Sequence, residues 1–357
     1  MKGYLVLEDG TVFEGRPFGA VKDTFGEVVF STGMTGYQES LTDPSYAGQI
    51  LTSSYPMIGN YGVNSHDNQS DKVQVWGYVV NELCEAPSHR HCSGTMDEFL
   101  KRSNVPGISG VDTRALIRKL RTNGTMKGAI TGAAPEDAIA EVRRMDNPDR
   151  ENLVANVSTP TIRSHITGKD RSVVVIDCGA KDNIIKELSH RFDVHQVPYD
   201  YTADDIRELE PDGVFVTNGP GDPAHEGLRS TVVATLAELK DELPMMGICL
   251  GNQLLALVFG ASTYKLKFGH RGVNQPVGYG KRVFVTSQNH GFAVDAASAT
   301  AAGMEITFQN LNDGTVEGMR HSESPVFSVQ FHPEARPGPH DTTFLFDEFA
   351  RMLEEGP

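Results

Sequence analysis

The apolar positions of this chain change their period partway along it. From Ser172 onward, unbroken apolar runs alternate with stretches of helical spacing. Val173-Val174-Val175-Ile176, Gly213-Val214-Phe215-Val216 and Met245-Met246-Gly247-Ile248 carry no polar side chain, which is the pattern of strands buried on both faces. A further strand is read at 194–197. Between these runs, residues 182–191, 203–209 and 230–239 space their apolar side chains three and four apart and are predicted as helices. Such alternation predicts a doubly wound, mostly parallel α/β sheet, whose chemistry gathers at the carboxyl ends of its strands. Past Gly260 the pattern turns β-rich, with strands at 282–286, 306–308, 316–319 and 326–329. A closing helix then places Leu345, Phe349, Met352 and Leu353 on one stripe.

The first part of the chain reads differently. Residues 5–7 and 12–13 flank Glu8-Asp9-Gly10 and predict a hairpin with an Asp-Gly turn. Residues 27–30, 49–52 and 73–80 are read as further strands. Helices are expected at 96–102, from an Asp112 or Thr113 cap to Asn123, and at 135–145. Residues 33–46, with their Gly, Asp-Pro and Ser, read as a loop, and one dense in polar and aromatic groups as binding loops often are. These elements make residues 1–150 a small mixed α/β domain. Residues 151–171 show little periodicity and are read as a linker, leaving 172–357 as the second domain.

Composition narrows the function classes. No run approaches the length of apolar chain needed to span a bilayer. Glu8 and Asp9 interrupt any signal-peptide core, so a cytoplasmic location is expected. A net charge of −15 argues against nucleic acid as a partner, because phosphate contacts need a basic face. Cys84, Cys92, Cys178 and Cys249 are too few for a disulfide framework in a chain of 357 residues. Cys84, His89, His91 and Cys92 are spaced unlike a zinc site and are read as part of an exposed loop, so no metal is assigned. No Walker-type phosphate loop occurs, and no ATP site is expected on this chain.

The candidate chemistry sits where the parallel pattern puts it. After the apolar run 245–248 comes Gly247-Ile248-Cys249-Leu250-Gly251, opening directly into the helical stretch Leu254 to Phe259. This is the sulfur form of a nucleophile elbow, in which a strand turns sharply into a helix and lifts one side chain above the sheet edge. Gly247 and Gly251 give the turn room. At that helix N-terminus the sulfur faces unpaired N–H groups and the positive dipole end, which favours negative charge. A second loop at a strand end, Thr217-Asn218-Gly219-Pro220-Gly221-Asp222-Pro223, has a tight Gly/Pro backbone. A thiol nucleophile needs a base, and the base needs an orienting acceptor. Of twelve histidines, only His332 ends a predicted core strand with a carboxylate two residues on. Extended backbone would place His332 and Glu334 on one face, with Pro333 holding the chain extended. His290, in Gln288-Asn289-His290-Gly291-Phe292, is the second choice and is read as part of a binding loop.

Gly-Ile-Cys-Leu-Gly with a later His-Pro-Glu resembles the class I, triad-type glutamine amidotransferase domain. The whole chain is similar to the small-subunit family of carbamoyl-phosphate synthetase. That wider resemblance rests on Met34-Thr35-Gly36-Tyr37-Gln38-Glu39, Thr42-Asp43-Pro44-Ser45-Tyr46 and Ile108-Ser109-Gly110-Val111-Asp112-Thr113-Arg114. It is carried further by Phe268-Gly269-His270-Arg271-Gly272-Val273-Asn274, Gln288-Asn289-His290-Gly291-Phe292 and Pro337-Gly338-Pro339-His340-Asp341. Two departures are Asn252, where the family often has His, and Gly33, where it often has Ser.

The resemblance implies hydrolysis of L-glutamine by a Cys249–His332–Glu334 triad through a glutamyl thioester. It implies an oxyanion hole of Leu250 and Gly221 N–H groups, and glutamine binding by Ser45, Gly219, Gly221, Leu250, Gln253, Asn289, Gly291 and Phe292. It further implies no cofactor on this chain and a large partner subunit, in a heterodimer or an oligomer of heterodimers. That partner would bind ATP and Mg and make carbamoyl phosphate from bicarbonate and the released ammonia, for arginine or pyrimidine synthesis. The first domain would be the docking surface. The alternatives are an amidotransferase subunit of another synthase, a stand-alone glutaminase, and a catalytically silent scaffold subunit.

Overall fold

The computed structural model describes residues 2–355, which form two compact units, Met1–Glu151 and Asn152–Pro357. In the first unit the strands are β1 (Gly3–Leu7), β2 (Val12–Gly19), β3 (Thr24–Ser31), β4 (Gln49–Ser53), β5 (Met57–Ile58), β6 (Gly77–Val79), β7 (Glu82–Leu83), β8 (Pro106–Ser109) and β9 (Met126–Thr131). Seven of them close a barrel in the order β1-β2-β8-β6-β4-β3-β9, and β5 pairs with β7 apart from it. The Asp-Gly turn joins β1 to β2 as the pattern predicts, with Leu7 N–H donating to Thr11 O at 2.9 Å. Closure comes from β1 pairing with β9, Tyr4 opposite Thr131 and Leu7 opposite Gly128.

The helices of this unit are α1 (Tyr37–Thr42), α2 (Met96–Arg102), α3 (Thr113–Asn123) and α4 (Pro135–Arg144). Helix α2 begins in a capping box, Thr95 and Glu98 each bonding the other's backbone N–H. Asp112 caps α3 by accepting from Ala115 N–H. Helix α4 lays Ala138 and Val142 over Val6 and Ala129 of the barrel wall. Two expectations change here. The segment read as a loop at 33–46 contains α1 and a 3-10 turn, Pro44–Tyr46. The strand read at 73–80 is only β6, because Val73 and Val75 are buried as irregular chain.

The second unit has β10 (Arg163–His165), β11 (Ser172–Asp177), β12 (Asp193–Pro198), β13 (Gly213–Val216), β14 (Met245–Ile248), β15 (Thr263–Tyr279), β16 (Arg282–Val294), β17 (Met304–Asn310), β18 (Val316–His321) and β19 (Val326–Val329). They make one sheet, in the order β10-β12-β11-β13-β14-β19-β18-β17-β15-β16. The five strands from β12 to β19 are parallel, with antiparallel strands on both flanks. The helices are α5 (Asp182–Ser189), α6 (Ala203–Arg207), α7 (Glu226–Leu228), α8 (Ala234–Leu239), α9 (Leu250–Val258), α10 (Ala296–Ala301) and α11 (Phe344–Glu355).

The unbroken apolar runs are explained by this layering. Val173, Val175, Phe215 and Met246 pack with α5 and α11 on one face. Val174, Ile176, Val214, Val216 and Met245 pack with α6, α8 and α9 on the other. Every residue of the run is therefore buried, and alternate residues serve opposite layers. The fold is the doubly wound α/β sheet expected.

Three local readings are corrected. The stretch read as a linker at 151–171 packs on the second unit: Leu153 and Val154 are buried and β10 adds an edge strand to β12. The predicted helix at 230–239 begins with a π turn, Arg229–Val233, before α8. Residues 288–292, read as a loop around His290, lie inside β16, which pairs with β15 over much of its length. No helix among the described residues is long and apolar enough to cross a membrane.

Candidate active site

The site starts from a steric conflict at the end of β14. An ideal Cβ on Gly247 would lie 2.6 Å from the backbone of Gly251, and one on Gly251 would overlap the carbonyl of Val216. Only hydrogen fits at either position, so strand and helix can turn within one residue. That residue is Cys249, at φ 56°, ψ −102°, a backbone conformation that costs an L side chain energy. It is held by Cys249 N–H donating to Val329 O at 2.9 Å, and by Gly251 N–H donating to Thr217 O at 3.0 Å. The predicted elbow is therefore present at the carboxyl end of β14, at the N-terminus of α9. Its sulfur is not uncovered, since Cys249 is 2% exposed and its thiol is directed at Asn289 O, 3.5 Å away.

The predicted base and its acceptor also come together. Beyond β19 the chain stays extended, and His332 N–H donates to Ser287 O at 2.9 Å. Nδ1 of His332 lies 2.7 Å from Glu334 Oε1, so the ring presents Nε2 on its other side. Nε2 has no hydrogen-bond partner among the described residues. Burial opposes a charge on this ring most strongly, but the attraction and hydrogen bond of Glu334 outweigh it, and the pKa is raised well above its ordinary value. The thiol and the ring are both set against β16, Sγ at Asn289 O and the His332 backbone N–H at Ser287 O, two residues apart on that strand. For Glu334, burial pushes upward, and the opposing pull of Lys181 and His332 carries the carboxyl well below its usual range.

Lys181 was not among the residues singled out from the sequence. Its side chain is buried, with Nζ donating to Glu334 Oε1 at 2.7 Å and to Ala335 O at 2.6 Å. Asp177 shapes the turn that delivers it: Oδ1 accepts from Gly179 and Ala180 N–H, and Oδ2 from Thr159 N–H and Gln196 Nε2. Asn183, on the first turn of α5, donates to Glu334 O at 2.5 Å. A signal existed, because Lys181 follows the carboxyl end of β11, the same sheet edge that carries Cys249.

The residues expected to hold glutamine fall in four places. Asn289, Gly291 and Phe292 lie within four residues of β16, with Asn289 O facing the thiol. Leu250 opens α9, and Gln253 one turn on donates its amide to Phe292 O (2.8 Å) and Gln330 Oε1 (3.0 Å), tying the helix to that strand. Gly219 fits between the Cys178 carbonyl and the Leu250 side chain, where a Cβ would overlap the carbonyl, and Gly221 takes φ 90° beside Leu153. Ser45 lies in the first unit, buried in the turn Pro44–Tyr46, with Asp43 Oδ1 accepting from its N–H at 2.9 Å. Asn252, the departure from the family pattern, bridges Ser328 Oγ and Gln330 Oε1 beneath the helix.

Within the second unit, a thiol, an imidazole and two buried counter-charges thus meet at one sheet edge, as covalent acyl transfer requires. Comparison with known proteins gives the family. Residues 5–130 match the model of the carbamoyl-phosphate synthase small chain, CPSase domain, and residues 174–352 match glutamine amidotransferase class-I. The chain is 50% identical to the carbamoyl phosphate synthase small chain of Methanopyrus kandleri, over 99% of this chain and 100% of that one. It is 51% identical to that of Archaeoglobus fulgidus, over 99% of each. It is 47% identical to the carbamoyl phosphate synthase pyrimidine-specific small chain of Bacillus subtilis, over 99% of this chain and 96% of that one. The chain belongs to the carbamoyl-phosphate synthase small-chain family, with a class-I glutamine amidotransferase domain in its second unit.

Proposed function

We propose that this chain is the glutamine-hydrolysing subunit of a carbamoyl-phosphate synthase, and that Cys249, His332 and Glu334 are its catalytic triad. The observation that carries the reading is the strained elbow at Cys249, whose thiol meets Asn289 O two residues along β16 from the Ser287 carbonyl that holds His332, the ring's Nδ1 being fixed by a buried carboxylate. The proton of the thiol passes to His332, whose raised pKa favours holding it, and Glu334 keeps Nδ1 protonated and stabilises this imidazolium beside the thiolate. The sulfur attacks the side-chain carboxamide of L-glutamine. Negative charge that develops on the carboxamide oxygen is met by the N–H groups of Leu250, at the start of α9, and of Gly221. The tetrahedral adduct collapses to a glutamyl thioester as His332 returns its proton to the departing ammonia. A water molecule, deprotonated by His332, then releases glutamate and restores the thiol.

Ser45, Gly219, Gly221, Leu250, Gln253, Asn289, Gly291 and Phe292 are proposed to grip the substrate. The ammonia passes to a large partner subunit that binds ATP and Mg and forms carbamoyl phosphate from bicarbonate. An enclosed route suits the chemistry, since ammonia released into water at neutral pH becomes mostly ammonium, a poor nucleophile. The first unit, which supplies only Ser45 to the proposed site, is assigned to docking of the partner. A relative's pyrimidine-specific name makes pyrimidine synthesis one destination for the product; arginine synthesis is the other.

The test is a pull-down from the source cell with tagged chain, followed by carbamoyl phosphate assays on what is recovered. Glutamine-dependent synthesis is expected with the intact chain. With Cys249→Ser, glutamine should fail while added ammonia still supports synthesis. Glutamine-dependent synthesis that survives Cys249→Ser would overturn the assignment.

A further inference from the structure

A second group of buried titratable side chains lies on the antiparallel side of the same sheet. His270 on β15, His290 on β16 and Glu317 on β18 are all buried, and one ligand atom from each lies within 4.8 Å of the others. We propose that these three side chains form a binding site for a zinc-type divalent metal, one ligand of which stands on the strand that carries Asn289, Gly291 and Phe292.

The ring orientations carry the argument. A metal-ligating histidine usually gives its outer N–H to a carbonyl or carboxylate and presents its inner nitrogen as a lone pair. His290 Nδ1 faces Phe292 O at 2.8 Å, and a carbonyl can only accept, so that nitrogen holds the hydrogen and Nε2 is the inner atom. His270 Nε2 meets Asp313 Oδ2 at 2.7 Å, leaving Nδ1 as its inner atom. Asp313 is fixed in turn by Thr315, whose N–H and hydroxyl both donate to Oδ1. Both inner nitrogens turn toward Glu317, with His270 Nδ1 at 3.4 Å and His290 Nε2 at 4.0 Å from Oε1; Asn310 Nδ2 at 3.5 Å from His270 Nδ1 and the Gln288 side-chain amide at 3.3 Å from His290 Nε2 are the neighbours a metal would displace.

Glu317 supplies the second observation. Its side chain is fully buried. Asn310 Nδ2 and Thr315 Oγ1 donate to Oε1 at 3.2 Å and 3.4 Å, while Oε2 has no hydrogen-bond partner among the described residues. A buried carboxylate with one oxygen unpartnered is costly, and a cation bound to this carboxylate, whose Oε1 faces both rings, offsets that cost.

The donor set selects the metal. Two imidazole nitrogens and one carboxylate are the protein ligands of a four-coordinate zinc with one position left open. Calcium and magnesium need oxygen ligands and higher coordination. Bonds of about 2.0–2.2 Å give ligand-to-ligand edges of about 3.4 Å in a tetrahedron. The His270–Glu317 edge already has that length, the His290–Glu317 edge needs to close by about 0.6 Å, and the His270–His290 edge, within 4.8 Å, by up to about 1.4 Å. A metal here would clamp β15, β16 and β18 together. It would also fix Phe292 O, which accepts from both His290 and Gln253, so it would hold in register the strand that faces Cys249.

The test uses the full chain, stripped with a chelator and then titrated with zinc, and with cobalt as a spectroscopic probe. A Cys84→Ser/Cys92→Ser background removes binding at the exposed Cys/His segment. One zinc per chain and the visible absorption of tetrahedral cobalt are expected in that background, with affinity falling at least about a hundredfold in Glu317→Gln and His270→Asn. Anomalous scattering from zinc-soaked crystals reads the same point without a variant, and should place the ion between these three side chains. Absence of stoichiometric zinc, an ion located elsewhere, or full binding retained in folded Glu317→Gln overturns the proposal.

Discussion

Lys181 Nζ and His332 Nδ1 meet the same oxygen of Glu334, each at 2.7 Å. One carboxylate buried from water thus serves two cations at once. Its desolvation is offset by Coulombic attraction that neither partner alone would supply. The arrangement makes Lys181 a positioning residue. It neutralises Glu334, restrains the carboxylate through Ala335 and, by its own charge, limits how far the pKa of His332 rises.

Removing that lysine should therefore cost stability. Lys181→Met is expected to destabilise the second unit by about 3–5 kcal/mol, the usual penalty for breaking a buried pair from one side. It should also raise the pKa of His332 further, since a neighbouring positive charge is lost. Denaturant unfolding reads the first effect and histidine NMR titration the second. A variant as stable as the wild type, with an unmoved imidazole, would contradict this role.

The pH dependence has a defined sign. His332 has a folded-state pKa raised from 6.5 to about 10. The proton it binds therefore stabilises the fold fully below about pH 6.5, and that stabilisation is lost as pH rises through about 10. The stability gap between wild type and His332→Asn should accordingly narrow from pH 6.5 to pH 10. A gap that widens over this interval would show a ring held neutral by the fold. Glu334 behaves oppositely. Its carboxyl is lowered from 4.5 to about 2, so its contribution is present above 4.5 and fades as pH falls toward 2.

Strain at the elbow makes another prediction. Cys249 adopts φ 56° because α9 must begin at once after β14. Glycine tolerates that conformation and alanine does not. Cys249→Gly should be more stable than Cys249→Ala by about 1–2 kcal/mol, both being inactive, as measured by denaturant midpoint. Equal stability would mean that the elbow stores no strain.

The second unit was largely legible because its signals are local. The run 173–176 states its double burial in four residues, and Val173 and Val174 do go to opposite layers. His332 and Glu334 were legible as a pair because two residues of extended chain fix their common face. The barrel was not legible, because its closure depends on β1 meeting β9, a pairing of residues more than a hundred positions apart. Helix α1 and strand β10 were hidden in segments rich in turn residues, where propensity is weak and tertiary packing decides. Lys181 escaped because lysine is ordinarily a surface residue, and only the fold shows that Glu334 lies opposite it.

The glycines of the site give a test of its sterics. A Cβ on Gly219 would overlap the Cys178 carbonyl and lie 2.8 Å from the Leu250 side chain. Gly219→Ala should thus destabilise by about 1–3 kcal/mol and displace the loop packed against Leu250. Loss of glutamine-dependent activity with little change in ammonia-dependent activity is the expected kinetic outcome. A fully active, equally stable variant would show that this close packing does not set the site.

The central claim is that the sulfur of Cys249 forms a bond to the side-chain carbonyl of glutamine. The most direct measurement is peptide mass mapping after reaction of the full chain with a chloroketone analogue of glutamine, with glutamine itself as competitor. One adduct on Cys249 is predicted, slowed by glutamine, by about 10²–10⁴-fold in His332→Asn, and absent from Cys249→Ser. Labelling that leaves Cys249 unmodified, or that glutamine does not slow, would contradict the account.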